Sequence, residues 1–518
     1  MKDCTCMMTL LSVLPIIILL ACLIFIKLPV GKSGIISLAA ATVIALVFFG
    51  LPAFGLAVAV GKALALALFV SLIVWGALFI YHLVDDFKAI DVINKNILVF
   101  IEDKFVQFVL LSWLFTGLMQ GMAGFGVPIV ITAPILVALG FDKVKSLSAV
   151  LLGHSWAVTF GSMGAAFFII QMITGLPAED LGLPMWVFNT IAHLVTGVGV
   201  CWLYDGIKGI RKGLAYILPV SVVMAVVQYF TIHFGMYSLA TLNTALVGLV
   251  AMFLLYKLRS KPREQKPGIY SGRLNLLQAV LPYSFILVLS LAVSFLPFAL
   301  RDISLSFNFP GFQTDLGYIV RPETGYSAIR LFGHPAVVLL LAAAVAVVVF
   351  KSAGVWDSAV FRGAVKKTVK KGIPATIALL SLGNMSLIMM DSGMTHLLAN
   401  NTADFVGGLY PFFAPFFGVL GAFLTGNNTN ANVLFGSFQY TIAQQLGVSG
   451  AVMSAVQSIA GSVGVAIGPT LVLMGTLATK QEGQEAQIYK KVIAFVLIAA
   501  LAMGIANFAI MQSGALVW

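Results

Sequence analysis

The chain alternates long apolar runs with short polar breaks. Runs close to the ~20 residues that cross a bilayer as a helix occupy 9–28, 33–50, 61–83, 146–172, 184–203, 213–234, 239–256, 275–299, 335–350, 372–394, 451–477 and 490–512. Each predicts one transmembrane helix. Two further apolar stretches, about 106–140 and 405–446, are broken in the middle by Gly, Pro and Asn. Irregular backbone at membrane depth is tolerated only where protein buries it or water reaches it. These two stretches therefore predict hairpins that enter and leave on one side. Residues 300–334 are too polar to span and are expected as an external loop. Residues 356–371 carry a basic amphipathic pattern expected to lie on the inner face.

Composition agrees. Of 518 residues, 60% are hydrophobic and 9% charged, against about 25% charged in soluble proteins. The fold class is an all-α polytopic membrane protein. A cytoplasmic enzyme and a nucleic-acid binder are excluded. The net charge of +11 belongs to loops that fix orientation. Lys257, Arg259, Lys261, Arg263, Lys266 and Arg273 form one basic segment, and Lys351, Arg362, Lys366, Lys367, Lys370 and Lys371 another. Both are placed inside, as are Lys208, Arg211 and Lys212, and both termini outside. The first apolar run lacks a small-residue cleavage site and is expected as a retained helix.

The chain also repeats itself. Gly61 through His82 resembles Gly372 through His396, with Ser71-Leu72 matching Ser381-Leu382. Gly117–Gly126 resembles Gly418–Asn428, and Ser148-Ala149-Val150 resembles Ser454-Ala455-Val456. In the topology above the first hairpin opens inside and the second outside, so the repeats are inverted, a transporter signature. The expected organisation is N-terminal helices over 1–60, repeat 1 over 61–173, central helices over 174–371 as scaffold, repeat 2 over 372–478, and a C-terminal helix within 479–518.

Substrate sites in such folds lie where broken helices meet near mid-membrane. Hairpin one supplies Gly124, Phe125 and Gly126, where backbone can approach closely. Hairpin two supplies Thr425, Gly426, Asn427, Asn428, Thr429 and Asn430, whose amides and hydroxyls can donate to a carboxylate and accept from a hydroxyl. The helices that follow add Ser155 and Thr159, then Gln457 and Ser458. Half-helix N-termini after each tip suit an anion. Few ionisable groups lie deep in the apolar runs. His154 and Asp391 are the candidates for proton coupling, with His193 weaker. No metal motif, phosphate loop or nucleophile–base set occurs, and no cofactor is expected. Transport would run on a gradient.

At these motifs the chain resembles the lactate permease family. The matching residues are Ala123 to Ile129 with Leu139-Gly140-Phe141, then Thr159 to Gly164, then Phe423 to Gly426, Asn432 to Gly436, and Ala443 to Val448. The family usually has a Ser-rich run where this chain has Asn427 to Ala431, and Asn and Pro near His154 to Val158. The resemblance implies symport of L-lactate or a related 2-hydroxymonocarboxylate such as glycolate with H⁺. It also implies a bacterial or archaeal plasma membrane, re-entrant hairpins and an elevator movement. The departures in hairpin two keep open a Na⁺-coupled carrier for another small organic anion. The expected partners are this anion, the coupling cation and membrane lipid, with no nucleic acid. A homo-oligomer is compatible with such a fold.

Overall fold

The computed structural model describes residues 2–124, 126–260, 272–294 and 303–514. Phe125, the basic residues Lys261, Arg263 and Lys266, and the first part of the 300–334 loop lie outside them. Among the described residues, eleven helices are long and apolar enough to cross a membrane, or twelve with the bent pair Lys143–Ala157 and Gly161–Thr174 counted as one span. Two of these eleven are hairpin arms. Another, Ala178–His233, is two helices, because Asp205 and Gly206 leave the helical region. Adding the bent pair and the shorter apolar helix Leu276–Leu289 gives twelve candidate crossings among the described residues.

Helices α1 (Lys2–Ile24), α2 (Val30–Phe48), α3 (Ala53–Asp86) and α4 (Ala89–Phe100) come first. Hairpin one follows, with arms α5 (Lys104–Met122) and α6 (Val127–Ala138). A π-helical turn, Leu110–Phe115, interrupts its first arm. The broken helix is α7 (Lys143–Gly153) and α8 (Gly161–Thr174). Then come α9 (Ala178–His233), α10 (Ala240–Arg259) and α11 (Leu276–Ser294). The polar loop before α12 folds as two small antiparallel ribbons, β1 (Ser304–Phe309) with β4 (Glu323–Arg330), and β2 (Phe312–Gln313) with β3 (Ile319–Val320). The chain continues with α12 (Pro335–Ser352), α13 (Ser358–Asp391) and α14 (Met394–Val406). Hairpin two is α15 (Tyr410–Thr425) and α16 (Asn428–Gln445). The second broken helix is α17 (Gly450–Gly464) and α18 (Pro469–Thr479), and α19 (Glu485–Ser513) ends the fold.

The repeat is wider than the motifs indicated. Helices α2, α3 and α4 start at Val30, Ala53 and Ala89; α12, α13 and α14 start at Pro335, Ser358 and Met394. From 30 to 335, 53 to 358 and 89 to 394, the offset is 305 residues each time. Helices α3 and α13 are both 34 residues long. This register differs from the Gly61/Gly372 match, which places His396 in the next helix. Two ion pairs support it. Lys62 of α3 meets Asp391 of α13 at 3.2 Å, and Lys367 of α13 bonds Asp86 of α3. Residues 62 and 367 differ by 305, and so do 86 and 391. The start of each helix thus meets the end of the other, so α3 and α13 run antiparallel and the repeats are inverted.

Two sequence expectations change. The basic segment 356–371 is not a separate surface helix: from Ser358 it continues unbroken into the 372–394 span, and Pro374 does not end it. The central helices do not form one scaffold. α11 and α12 pack with α1 to α4, α13 and α14 as a frame, while α9 and α10 pack on the hairpins and broken helices. The frame meets this second body along α3 with α8, and α13 and α14 with α16.

Candidate functional site

The two broken helices cross, and the break in the first is held by the second. His154 caps α7, Ser155–Ala157 form one 3₁₀ turn, and Ser162, Met163 and Gly164 all take left-handed backbone angles. Such angles cost roughly 1–3 kcal/mol per non-glycine residue, so the surroundings must enforce them. The broken segment also frees backbone donors and acceptors that lipid cannot satisfy. The Ser462 hydroxyl of α17 answers both needs. It accepts from Val158 N at 3.0 Å and Thr159 N at 3.2 Å, and donates to Ser155 O at 2.5 Å. Thr241 at the start of α10 donates to Ala157 O at 2.9 Å.

Hairpin two locks onto this crossing. Asn427 caps α16 by accepting from Asn430 N at 2.8 Å. At the next residue, the first of α16, the Asn428 amide donates to Thr159 Oγ1 at 3.1 Å and Ser458 O at 2.9 Å. Asn432, four residues on and therefore on the same face, donates to Ala166 O at 3.0 Å and Ser458 Oγ at 2.9 Å. Thr159 Oγ1 donates to Ser458 O at 2.9 Å. Asn428, Asn432, Thr159, Ser458 and Ser462 are all buried, so the crossing is closed. Two carbonyl oxygens in it, Asn428 Oδ1 and Asn432 Oδ1, have no hydrogen-bond partner.

Hairpin one approaches the same break. Gly124 has φ +54, and a Cβ there would fall 1.8 Å from Ser162 Oγ. Only glycine meets both conditions. Gly126 lies against Leu471 and Met474, and Gly426 against Thr470. Both hairpin tips therefore converge on the first turns of α18. Thr425 closes its own arm by donating to Gly421 O at 2.7 Å and Asn427 O at 2.9 Å. Gln457 lies at one side, accepting from Gln439 Nε2 at 3.1 Å, and Gln439 in turn accepts from the Tyr410 hydroxyl at 2.9 Å.

The predicted residues thus divide. Gly124, Gly126, Ser155, Thr159, Gly426, Asn428 and Ser458 gather at the crossing; Thr425, Asn427, Thr429 and Asn430 form the tip and first turn of hairpin two, and Gln457 its flank. His154 stands at the break, its Nδ1 3.1 Å from Val150 O. His193 lies behind it, edge-on to Trp156 and beside Asn189 at 3.1 Å. Asp391 is elsewhere, paired with buried Lys62, which also meets Glu323 of β4 at 2.7 Å. Sequence reasoning missed Lys62, and it left Asn432 and Ser462, polar residues of hairpin two and of the helix after it, off the list of site residues. Asn432 and Ser462 were findable, since each stands four residues after a chosen residue, Asn428 or Ser458.

Chemically, the crossing offers hydroxyls, amides and half-helix N-termini, with no charged side chain among its described residues. That set suits a small anion bearing a hydroxyl, with dipoles in place of a fixed cation. Among the described residues no His/Cys/Asp/Glu cluster could hold a metal.

The chain is similar to known proteins over nearly its whole length. The glycolate permease GlcA of Escherichia coli (strain K12) is 26% identical over 537 residues, covering 96% of this chain and 94% of that one. The L-lactate permease of Salmonella typhimurium is 26% identical over 548 residues, covering 98% and 96%. Among solved structures, the YdaH transporter of Alcanivorax borkumensis aligns over 88% of each chain with a TM-score of 0.46 and 13% identity. The family described as L-lactate permease matches residues 8–513, and this chain, a multi-pass membrane permease rather than an enzyme, belongs to that family.

Proposed function

We propose that the protein imports L-lactate, glycolate or a related 2-hydroxymonocarboxylate with H⁺ across the plasma membrane. The observation that carries this reading is a buried crossing of donors and acceptors without charge, in a chain whose full-length relatives are L-lactate and glycolate permeases. The half-helix N-termini and the Asn428 amide would hold the carboxylate. The unpaired Asn428 and Asn432 carbonyls would accept the α-hydroxyl. Gly124, Gly126 and Gly426 let the hairpin backbones approach.

His154 is the better candidate for coupling, because it stands at the break beside Ser155. Asp391 would act only indirectly, through the frame. The body of hairpins and broken helices would move against the frame of α1 to α4 and α11 to α14. A second reading, Na⁺ coupling, is favoured by one observation: two unpaired carbonyl oxygens are the ligand type that hard cations take.

The test is competition against labelled L-lactate uptake. Glycolate should compete well, and propionate, which lacks the hydroxyl, should compete at least about tenfold less, since the site's acceptors would then stay unpaired. Equal competition by propionate would remove the hydroxyl from the recognition scheme.

A further inference from the structure

A cavity of about 120 Å³ opens at the outer end of the seam between the two bodies. The frame supplies Val293 of α11, Arg330 at the end of β4, and Pro335 at the start of α12. The other body supplies Ser238, Leu239 and Met163. Met163 connects this cavity to the site. It is the middle of the three left-handed residues at the break, and its neighbour Ser162 abuts Gly124 of hairpin one.

Among the described lining residues, Arg330 alone is charged. It is exposed and makes no ion pair among the described residues. The turns at 175–178 and 234–239 contain no Lys or Arg, and the first is followed by the acidic pair Glu179 and Asp180. A guanidinium presents a planar fork that matches a carboxylate. A single cation beside a low-dielectric wall also raises the local concentration of anions. The closed crossing beyond it has no fixed positive charge, so attraction at longer range must come from elsewhere.

We infer that Arg330 and this cavity form an outer capture site that receives the substrate carboxylate before it reaches the hairpin tips. The assignment rests on the proposed carboxylate substrate. Arg330 is a specificity and recruitment residue here, and the crossing keeps the binding role.

The test is initial-rate uptake of labelled L-lactate into intact cells without another lactate carrier, so that substrate meets the outer face alone. Wild type, Arg330→Gln and Arg330→Lys are compared at equal surface expression. Arg330→Gln should raise KM about tenfold with the maximal rate kept within about twofold. Arg330→Lys should restore most of the KM. Rising ionic strength should raise the wild-type KM and leave that of Arg330→Gln nearly unchanged. An unshifted KM in Arg330→Gln, or a fall in maximal rate alone that Arg330→Lys shares, would overturn the assignment. The second pattern marks a packing role. A wild type that takes up no lactate overturns the substrate reading and this assignment together, whereas normal wild-type uptake with an unshifted variant overturns only the assignment.

Discussion

The two ion pairs between α3 and α13 occupy equivalent positions in the inverted repeats, yet they should differ greatly in energetic weight. The informative perturbation is Lys62→Met, set against Lys367→Gln. The Lys62 side chain is 1% exposed and its partner Asp391 3%. Removing Lys62 leaves Asp391 buried without a partner and also releases Glu323, which lies 2.7 Å away. Breaking a buried pair in this way costs roughly 3–5 kcal/mol. Lys367 is 54% exposed, so its pair is hydrated and worth about 0–1 kcal/mol.

The assay is thermal unfolding of the detergent-solubilised protein, with the midpoint read by intrinsic fluorescence. At about 2.1 cal/mol/K per residue, a 518-residue chain shifts by roughly 1 °C per kcal/mol. Lys62→Met should therefore lower the midpoint by about 3–5 °C, and Lys367→Gln by no more than about 1 °C. Asp391→Asn should cost less than Lys62→Met, because Lys62 keeps Glu323. The double variant Lys62→Met/Asp391→Asn should recover part of the loss, since no buried charge is left alone. Equal shifts for the Lys62 and Lys367 variants, or no recovery in the double variant, would refute the reasoning.

Other consequences concern the crossing. Asn428→Ala removes donors to Thr159 and Ser458 and should cut uptake at least about tenfold at unchanged expression, a loss on the scale of a buried bond left unmade. Gly124→Ala puts a methyl 1.8 Å from Ser162 Oγ at a left-handed position and should abolish uptake, with protein still inserted on immunoblots. Ser462→Ala strips the break of its shared hydroxyl and should lower both uptake and the unfolding midpoint, the latter by about 1–3 °C. His154→Gln should flatten the dependence of uptake rate on external pH; an unaltered pH profile would take the coupling role from His154.

Much of this was legible in the sequence, for identifiable reasons. Spans are visible because lipid demands apolar runs of fixed length. The hairpins are visible because Gly, Pro and Asn interrupt an apolar run at a depth where lipid cannot satisfy the freed backbone groups. The repeat showed in short motifs, but its register did not. The motif match around Gly61 and Gly372 follows residue similarity, whereas the register is set by helix ends and by pairs such as Lys62 with Asp391, 329 residues apart. A lone Lys62 near the start of an apolar run looks like a helix-end residue until that partner is known. The β2–β3 ribbon was missed because its strands are only two residues each, too short to show alternation. The basic segment from Ser358 looked separate because its polarity changes at Gly372, but backbone continuity does not follow polarity, and Gly372 is packed closely against Trp75. The division into frame and hairpin body depends on which faces meet, and no local pattern encodes that.

The central claim is proton-driven transport of a hydroxymonocarboxylate, and accumulation tests it most directly. Purified protein in proteoliposomes would be given an alkaline interior and labelled L-lactate outside, with no Na⁺ present. The account predicts lactate accumulated above its external concentration, lost on addition of a protonophore. Folded, inserted protein that accumulates lactate only when a Na⁺ gradient is imposed, or not at all, would contradict it.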